Sequence, residues 1–159
     1  MISIVVAHSA NGVIGADGGI PWHLPSDLRH FRDLTAGGTV VMGRKTFASL
    51  PPRFRPLPGR RNIVLTSDPS FSTPGVEVFG GLSSALEACD NDCFIIGGSS
   101  VYAQALDLAD RVYATRIHAE IAGDTKFPAL DGAWHCAQRS PTTKENDLSF
   151  TFATYVRSR

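Results

Sequence analysis

Ile20-Pro21-Trp22-His23-Leu24-Pro25-Ser26-Asp27-Leu28-Arg29-His30-Phe31 sets a single carboxylate among two prolines and several large apolar side chains. Pro25 suits the first turn of a helix, where an N–H has no intrahelical partner, and Ser26 can cap that turn. Leu28, Phe31 and Leu34 follow at a spacing of three and share one face of a helix expected over 25–35. Two readings of Asp27 fit this helix. One is a first-turn acid favoured by the helix dipole, worth ~0.3–1 kcal/mol. The other is an inward-facing carboxylate beside Leu28 and Phe31. Burial would raise its pKa and it would need a cationic or hydrogen-bonding partner, which a ligand can supply.

Working outward, residues 2–8 (Ile-Ser-Ile-Val-Val-Ala-His) form a nearly continuous apolar run, as in a strand covered on both faces. Between that run and the helix lies a loop from Asn11 to Gly19 with Gly12, Gly15, Gly18 and Gly19. Asn11-Gly12 and Asp17-Gly18 are turn signals, and so glycine-rich a loop suits a lid. Beyond the helix, strands are expected at 39–42, 62–66, 76–79, 93–96 and 111–118. Short helices are expected after Gly43, from Ser83 or Ser84 to about Cys89, and from about Val101 to Leu106. Segments 133–140 and 149–156 alternate polar and apolar residues and read as a terminal hairpin at the sheet edge. Strands alternating with helices, then β-only chain, predict a three-layer α/β fold. It has a mainly parallel, mixed eight-stranded sheet, helices on both faces and an antiparallel C-terminal edge strand.

The 159 residues suit a single domain, 1–159. Fifteen bases balance fifteen acids, so no global charge draws the chain to nucleic acid or membrane. The distribution is uneven. From Leu34 to Ser67 there is no acid but six bases: Arg44, Lys45, Arg53, Arg55, Arg60 and Arg61. Such a segment is either a solvated basic face or the local seat of a small anionic ligand. Cys89, Cys93 and Cys136 are odd in number and irregularly spaced, which argues against a disulfide framework or a zinc site. His8, His23, His30, His118 and His135 show no metal-ligand spacing, so no metal is expected. Residues 2–7 are too short an apolar run for a signal peptide and lack a basic flank, and no apolar run reaches membrane-spanning length. A cytoplasmic protein in a reducing compartment is expected, and a monomer by default.

Three strand-to-helix junctions carry glycine or small polar residues: Gly43-Arg44-Lys45-Thr46, Thr66-Ser67 and Gly97-Gly98-Ser99-Ser100. Beyond the carboxyl ends of strands, helix N-termini offer free N–H groups to phosphates. With the basic segment, these junctions point to a ligand bearing several phosphates. Gly38 to Thr46 nearly spells a Walker loop, but its interior Thr39-Val40-Val41-Met42 is strand-like, and Arg44-Lys45 stands where Lys-Ser/Thr is needed. A nucleotide triphosphatase is rejected. No Gly-x-Ser-x-Gly elbow supports nucleophilic catalysis.

Taken together, the motifs resemble the bacterial dihydrofolate reductase family over essentially the whole chain. They are Met1–Ile4, Gly12–Gly15, Pro21–Leu28, Val41–Thr46, Pro56–Asn62, Ile95–Gly98, Val101–Tyr102 and Gly123–Pro128. Pro51–Arg55 resembles the actinobacterial form. The resemblance implies reduction of 7,8-dihydrofolate to tetrahydrofolate with NADPH, and diaminopyrimidine and pteridine antifolates as inhibitors. It implies that Asp27 is the pocket carboxylate, bonded by Thr115, and that Arg60 pairs with the α-carboxylate of the substrate's glutamate. Val5, Ala7, Leu28, Phe31, Leu50, Leu57, Ile96 and Tyr102 match walls of the substrate pocket. Arg44, Lys45 and Ser67 match the site for the 2′-phosphate of NADPH. Gly43, Thr46 and Gly97, Gly98, Ser99, Ser100 and Val101 match pyrophosphate contacts. Ala7, Ile14 and Ile20 match nicotinamide neighbours, Tyr102 packs near that ring, and Gly15, Leu65, Thr66, Gly80, Ile96 and Gln104 complete the cofactor set. An adenosine-binding portion at about 38–90 is implied.

By the same resemblance, Asp27 holds the 2-amino and N3 edge of the pteridine and raises its proton affinity. A water admitted near Ile20 delivers the proton to N5, Trp22 is counted with Asp27, Ile20 and Thr115 in the catalytic set, and closure of the 9–24 loop excludes bulk solvent. Three residues depart from the family pattern. Ile20 stands where Met or Leu is frequent, Phe47 where Trp is common, and Ser99 where a third glycine follows Gly97-Gly98. A Cβ at 99 crowds the cofactor if that position takes a positive φ. Two competing readings are a pyrimidine reductase of riboflavin synthesis and a non-catalytic nucleotide-binding module.

Overall fold

The computed structural model describes residues 1–16 and 18–158. The strands are β1 (Ile2–His8), β2 (Val13–Gly15), β3 (Thr39–Gly43), β4 (Arg61–Leu65), β5 (Val76–Phe79), β6 (Cys93–Ile95), β7 (Arg111–Ile117), β8 (Thr125–Lys126), β9 (Trp134–Arg139), β10 (Thr143–Glu145) and β11 (Leu148–Arg157). The helices are α1 (Pro25–Thr35), α2 (Arg44–Ser49), α3 (Leu82–Glu87) and α4 (Ser99–Ala105), with a 3-10 turn at Pro52–Phe54.

The main sheet runs in the order β10-β11-β7-β1-β6-β3-β4-β5, with β9 also paired to β11. From β7 to β5 every pairing is parallel, and β11 closes antiparallel on β7. This is the mixed, mainly parallel sheet with an antiparallel C-terminal strand expected above: eight strands lie along it, β9 joins β11 as a ninth, and β10 rather than β11 is the edge. Strand side chains alternate between faces. Ile4, Val41, Ile63 and Ile95 pack with Leu82 and Ala85 of α3 and with Val101 and Ala105 of α4. Their neighbours Val5, Val40, Val64 and Phe94 pack on the opposite face with Phe47 of α2 and with Phe31 and Leu34 of α1. Near-continuous apolar runs are therefore required in β1, β3 and β4, because both faces are covered.

Four local expectations are corrected. The 11–19 stretch is not all loop: β2 pairs with β8 in a separate two-stranded sheet, brought together across more than a hundred residues. Gly18 takes φ +79°, as a turn demands, and Asp17 lies outside the described residues. Ser26 does not cap α1. The N-cap is Leu24, with no side-chain bond, and Ser26 engages Glu145 instead. α3 begins at Leu82 behind Gly81, with Ser84 Oγ donating to the Gly81 carbonyl, and α4 begins two residues earlier than expected, at Ser99. The short β10 is an addition, joined to β11 through Asn146 and Asp147, both at positive φ.

Candidate active site

The carboxyl ends of β1, β3, β4 and β6 open onto a cleft of about 940 Å³. Parallel sheets place ligands there because the strand ends and helix N-termini converge. The cleft has two chemically different ends and a backbone-lined middle.

Asp27 occupies the apolar end. It lies in the first turn of α1, where its N–H donates to the Leu24 carbonyl at 3.0 Å. The Thr115 hydroxyl donates to Asp27 Oδ1 at 2.6 Å. Thr115 is buried on β7 and pairs in register with Ala7 of β1, so one ladder places both at the cleft floor. Asp27 Oδ2 accepts no hydrogen bond among the described residues. Burial raises the Asp27 pKa above the ordinary carboxylate value; the Thr115 hydroxyl and His30 pull against that shift, and the Glu145 charge adds to it. The structure therefore takes the second of the two readings of Asp27. Ile20 and Leu28 stand beside it 66% and 55% exposed, and with Trp22 they give this end an apolar mouth. Exposed apolar groups gathered at a cleft mark a ligand surface.

The middle is backbone. Gly43 N–H donates to the Gly97 carbonyl at 2.8 Å, which ties the end of β3 to the turn after β6. The Gly97–Gly98 peptide is cis, and Gly97 has φ +122°. A Cβ on Gly97 would stand 3.3 Å from the Tyr102 ring, whose hydroxyl donates to the Val5 carbonyl at 2.8 Å. Burial pushes the Tyr102 phenol up, so it stays protonated at neutral pH and serves as a fixed donor. No side chain caps α2 or α4, and an anion can be received by their first-turn N–H groups. Ser99 is the first residue of α4 and is not among the positive-φ residues, so the backbone condition for crowding by its Cβ is not met.

The polar end holds Arg44 and Lys45 at the head of α2, with Thr66 and Ser67 after β4. Arg44 Nη1 donates to Asp68 Oδ2 at 2.7 Å, and its guanidinium lies 4.8 Å from the centre of the Phe71 ring. Asp68 Oδ1 accepts the Ser70 N–H and hydroxyl at 2.9 and 2.6 Å. These Ser70 donors and the Arg44 cation hold the Asp68 carboxyl down at about 2.

All the residues expected around the cofactor line this one cleft, from Ala7, Ile14 and Gly15 through Arg44, Lys45 and Ser67 to Ser100 and Gln104. The expected substrate residues divide. Ala7, Asp27, Leu28, Ile96 and Tyr102 line the cleft, and Thr115 reaches it through Asp27. Val5 and Leu57 are instead buried in the core cluster on the α1 face, with Phe31, Leu50 and Ile96 packed against it. Ile96 is thus a wall common to cluster and cleft. Arg60 lies outside the cleft lining, 5.9 Å from the centre of the Phe31 ring, its Nη1 donating to Thr35 Oγ1 at 3.0 Å and its Nε to the Pro58 carbonyl at 2.9 Å. Among the described residues, no group of three or more His, Cys, Asp or Glu is placed to hold a metal ion.

A sequence profile of the dihydrofolate reductase family matches residues 1–157. This chain belongs to the dihydrofolate reductase family. It is 47% identical to dihydrofolate reductase type 3 of Salmonella typhimurium, covering 100% of this chain and 99% of that protein. It is 42% identical to the dihydrofolate reductase of Mycobacterium tuberculosis, over 99% of each. The structure superposes with a TM-score of 0.92 on the dihydrofolate reductase from Enterococcus faecalis complexed with NADP(H) and RAB-propyl. That protein is 35% identical, with 100% of this chain and 97% of the other covered.

Sequence reasoning from the family pattern missed several lining residues, among them His23, Ser49, Gly81 and Thr125. Ser49 was accessible to it, since it follows Thr46 by three in α2 and its hydroxyl donates back to the Thr46 carbonyl at 2.6 Å. Thr125 was not, because only the β2–β8 pairing brings it to the cleft.

Proposed function

We propose that the chain is an oxidoreductase that reduces 7,8-dihydrofolate to 5,6,7,8-tetrahydrofolate with NADPH. The observation that carries this reading is a cleft that joins a half-buried, half-satisfied carboxylate at one end to paired cations at the other. The donor set fits the cofactor. Arg44, Lys45 and Ser67 suit a 2′-phosphate, and the uncapped starts of α2 and α4 suit a pyrophosphate. Residues 38–90 supply most of the adenosine end. Bound NADPH supplies the hydride for C6 of the substrate.

The protein's own contribution is placement and electrostatics. Thr115 anchors Asp27 Oδ1, leaving Oδ2 to accept from the 2-amino and N3 edge of a pteridine. A poorly solvated negative charge favours positive charge on its bound partner, so the Asp27 carboxylate makes the substrate easier to protonate at N5. Ile20 and Trp22 shape the apolar mouth through which a water reaches N5 and from which bulk water is excluded. Leu28 at the cleft, with Phe31, Leu50 and Leu57 on the adjoining core cluster, would wall the rest of the substrate, and Arg60 beside Phe31 would receive the glutamate α-carboxylate. Diaminopyrimidine and pteridine antifolates present the same amino edge to Asp27 and inhibit. The working form is a cytoplasmic monomer that binds neither nucleic acid nor membrane, which the balanced charge supports. No helix among the described residues is long and apolar enough to cross a membrane.

The test is loss of NADPH absorbance on addition of dihydrofolate, with and without a diaminopyrimidine. Consumption abolished by the inhibitor is expected. NADPH binding without consumption would leave a nucleotide-binding module.

A further inference from the structure

α1 carries Asp27 but lacks a cap of its own, since Leu24 at the N-cap offers no polar side chain. Pro25 has no N–H and the Asp27 and Leu28 N–H groups reach the Leu24 carbonyl, so the orphan donor of the first turn is the Ser26 N–H, and it is met from the other end of the chain. Glu145, the last residue of β10, accepts the Ser26 N–H on Oε1 at 3.0 Å and the Ser26 hydroxyl on Oε2 at 2.7 Å. The grip spans 119 residues. Next to it, Asn146 Nδ2 donates to the His23 carbonyl at 2.7 Å, and Arg29 Nη2 donates to Ser26 Oγ at 3.0 Å. The turn between β10 and β11 thus holds the chain on both sides of Pro25, immediately before Asp27. A carboxylate at a helix N-terminus is favoured by the dipole, and here it satisfies a backbone donor as well.

We propose that Glu145 is a positioning residue for Asp27, capping α1 from the antiparallel edge of the sheet so that the pocket carboxylate is held against Thr115 beside a like charge. The consequence for turnover rests on the reductase reading, whereas the consequence for Asp27 itself does not. The titratable or charged groups acting on Asp27 are few. His30 follows it by three in α1, its ring stacked on Phe152 of β11 at 3.9 Å, and favours the carboxylate. Glu145 disfavours it. The Tyr102 phenol of α4 stays neutral, being pushed up by burial. Arg29 and His23 act on Glu145, whose carboxyl the two Ser26 donors hold below the ordinary range, so it is charged at neutral pH. Removing that charge takes a repulsion away from Asp27. It also leaves the α1 N-terminus less neutralised, and both changes favour the Asp27 carboxylate.

The experiment follows the Asp27 carboxyl by carbon-detected NMR in the ligand-free protein, assigned with Asp27→Asn, and the pH profile of kcat in the same variants. In Glu145→Gln the amide oxygen can still accept the Ser26 N–H, while the charge is lost. The Asp27 midpoint is expected to fall by about half a pH unit, the kcat profile to move with it, and the KM for NADPH to stay unchanged. Ser26→Ala removes one of the two donors and should move the midpoint the same way by less. If Glu145→Gln and Ser26→Ala melt lower but Asp27 titrates as in the parent, Glu145 is a structural cap and the proposal is overturned. If the parent consumes no NADPH, the reaction has been misread, and the ligand-free titration still decides the role of Glu145.

Discussion

Asp27 and Asp68 serve opposite ends of the same cleft. Each accepts a hydroxyl, from Thr115 and from Ser70 respectively, at the same 2.6 Å. Yet the first is raised and the second is held at about 2. The hydroxyl is therefore not what separates them. Asp68 is half-exposed and gathers a backbone N–H and the Arg44 guanidinium as well, so its charged form is over-satisfied. Asp27 is largely taken from water, and one hydroxyl does not offset the desolvation. The protein keeps one carboxylate short of partners at the apolar end of the cleft and saturates the other, which holds a cation.

Asparagine at position 27 should produce the largest break in this contrast. Asp27→Asn is isosteric and can keep the Thr115 bond, but it loses the charge proposed to draw a proton toward the substrate. We expect kcat at pH 7 to fall about 10²–10⁴-fold with NADPH affinity unchanged. Equal losses in both would mean that Asp27 shapes the cleft rather than the chemistry. The same variant tests the linkage. A raised carboxyl binds protons in the folded state at a pH where the unfolded chain has released them, so stability falls as pH rises through that window. Asp27→Asn should therefore melt higher than the parent at pH 7, and the difference should vanish below about pH 4.

At the other end, Arg44→Ala should raise the KM for NADPH about 10- to 100-fold while leaving NADH, which lacks the 2′-phosphate, nearly unaffected. Charge-assisted hydrogen bonds to a phosphate are worth about 1.5–3 kcal/mol. Similar losses for both cofactors would remove the 2′-phosphate from this site.

How far these two ends could be read from sequence differs, and the reason is physical. The polar end is local: Gly43, Arg44, Lys45 and Thr46 follow one strand directly, and the acid-free segment around them is visible in one dimension. The helix bearing Asp27 was legible from Pro25 and the 28, 31, 34 spacing, but the state of Asp27 was not. Its burial depends on β7 lying beside β1, its hydroxyl partner is 88 residues away, and its helix is capped across 119. Thr115 came only from the family resemblance, and Glu145 from neither source, since β10 is three residues of polar chain with no strand-like pattern. The 11–19 stretch failed as a loop for the same reason, β8 being two residues long.

A smaller effect separates the hydroxyl from the charge within the Asp27 end itself. Thr115→Val keeps shape and burial but removes the bond that opposes desolvation, so the Asp27 midpoint should move up, opposite in sign to the shift expected for Glu145→Gln. A hydrogen bond to a charged group is worth about 1.5–3 kcal/mol, but solvent and ligand donors recover part of it, and a net loss of about 1 kcal/mol implies a roughly fivefold fall in kcat at pH 7. An unchanged midpoint would mean that another donor or solvent replaces the hydroxyl.

The smallest effect is expected at Asp68, for the reason that makes its carboxyl so acidic. Asp68→Asn removes the partner of an exposed guanidinium that Phe71 continues to support from one face. Arg44 keeps its charge and most of its placement, so the KM for NADPH should rise only about two- to threefold, and high salt should erase the difference. Acid stability carries the complementary signature. A depressed carboxyl contributes stability above its unfolded value that is lost as pH falls from about 4 toward 2, so Asp68→Asn should flatten that limb of the melting curve. A KM that falls instead would identify Asp68 as a competitor of the 2′-phosphate for Arg44 rather than its support.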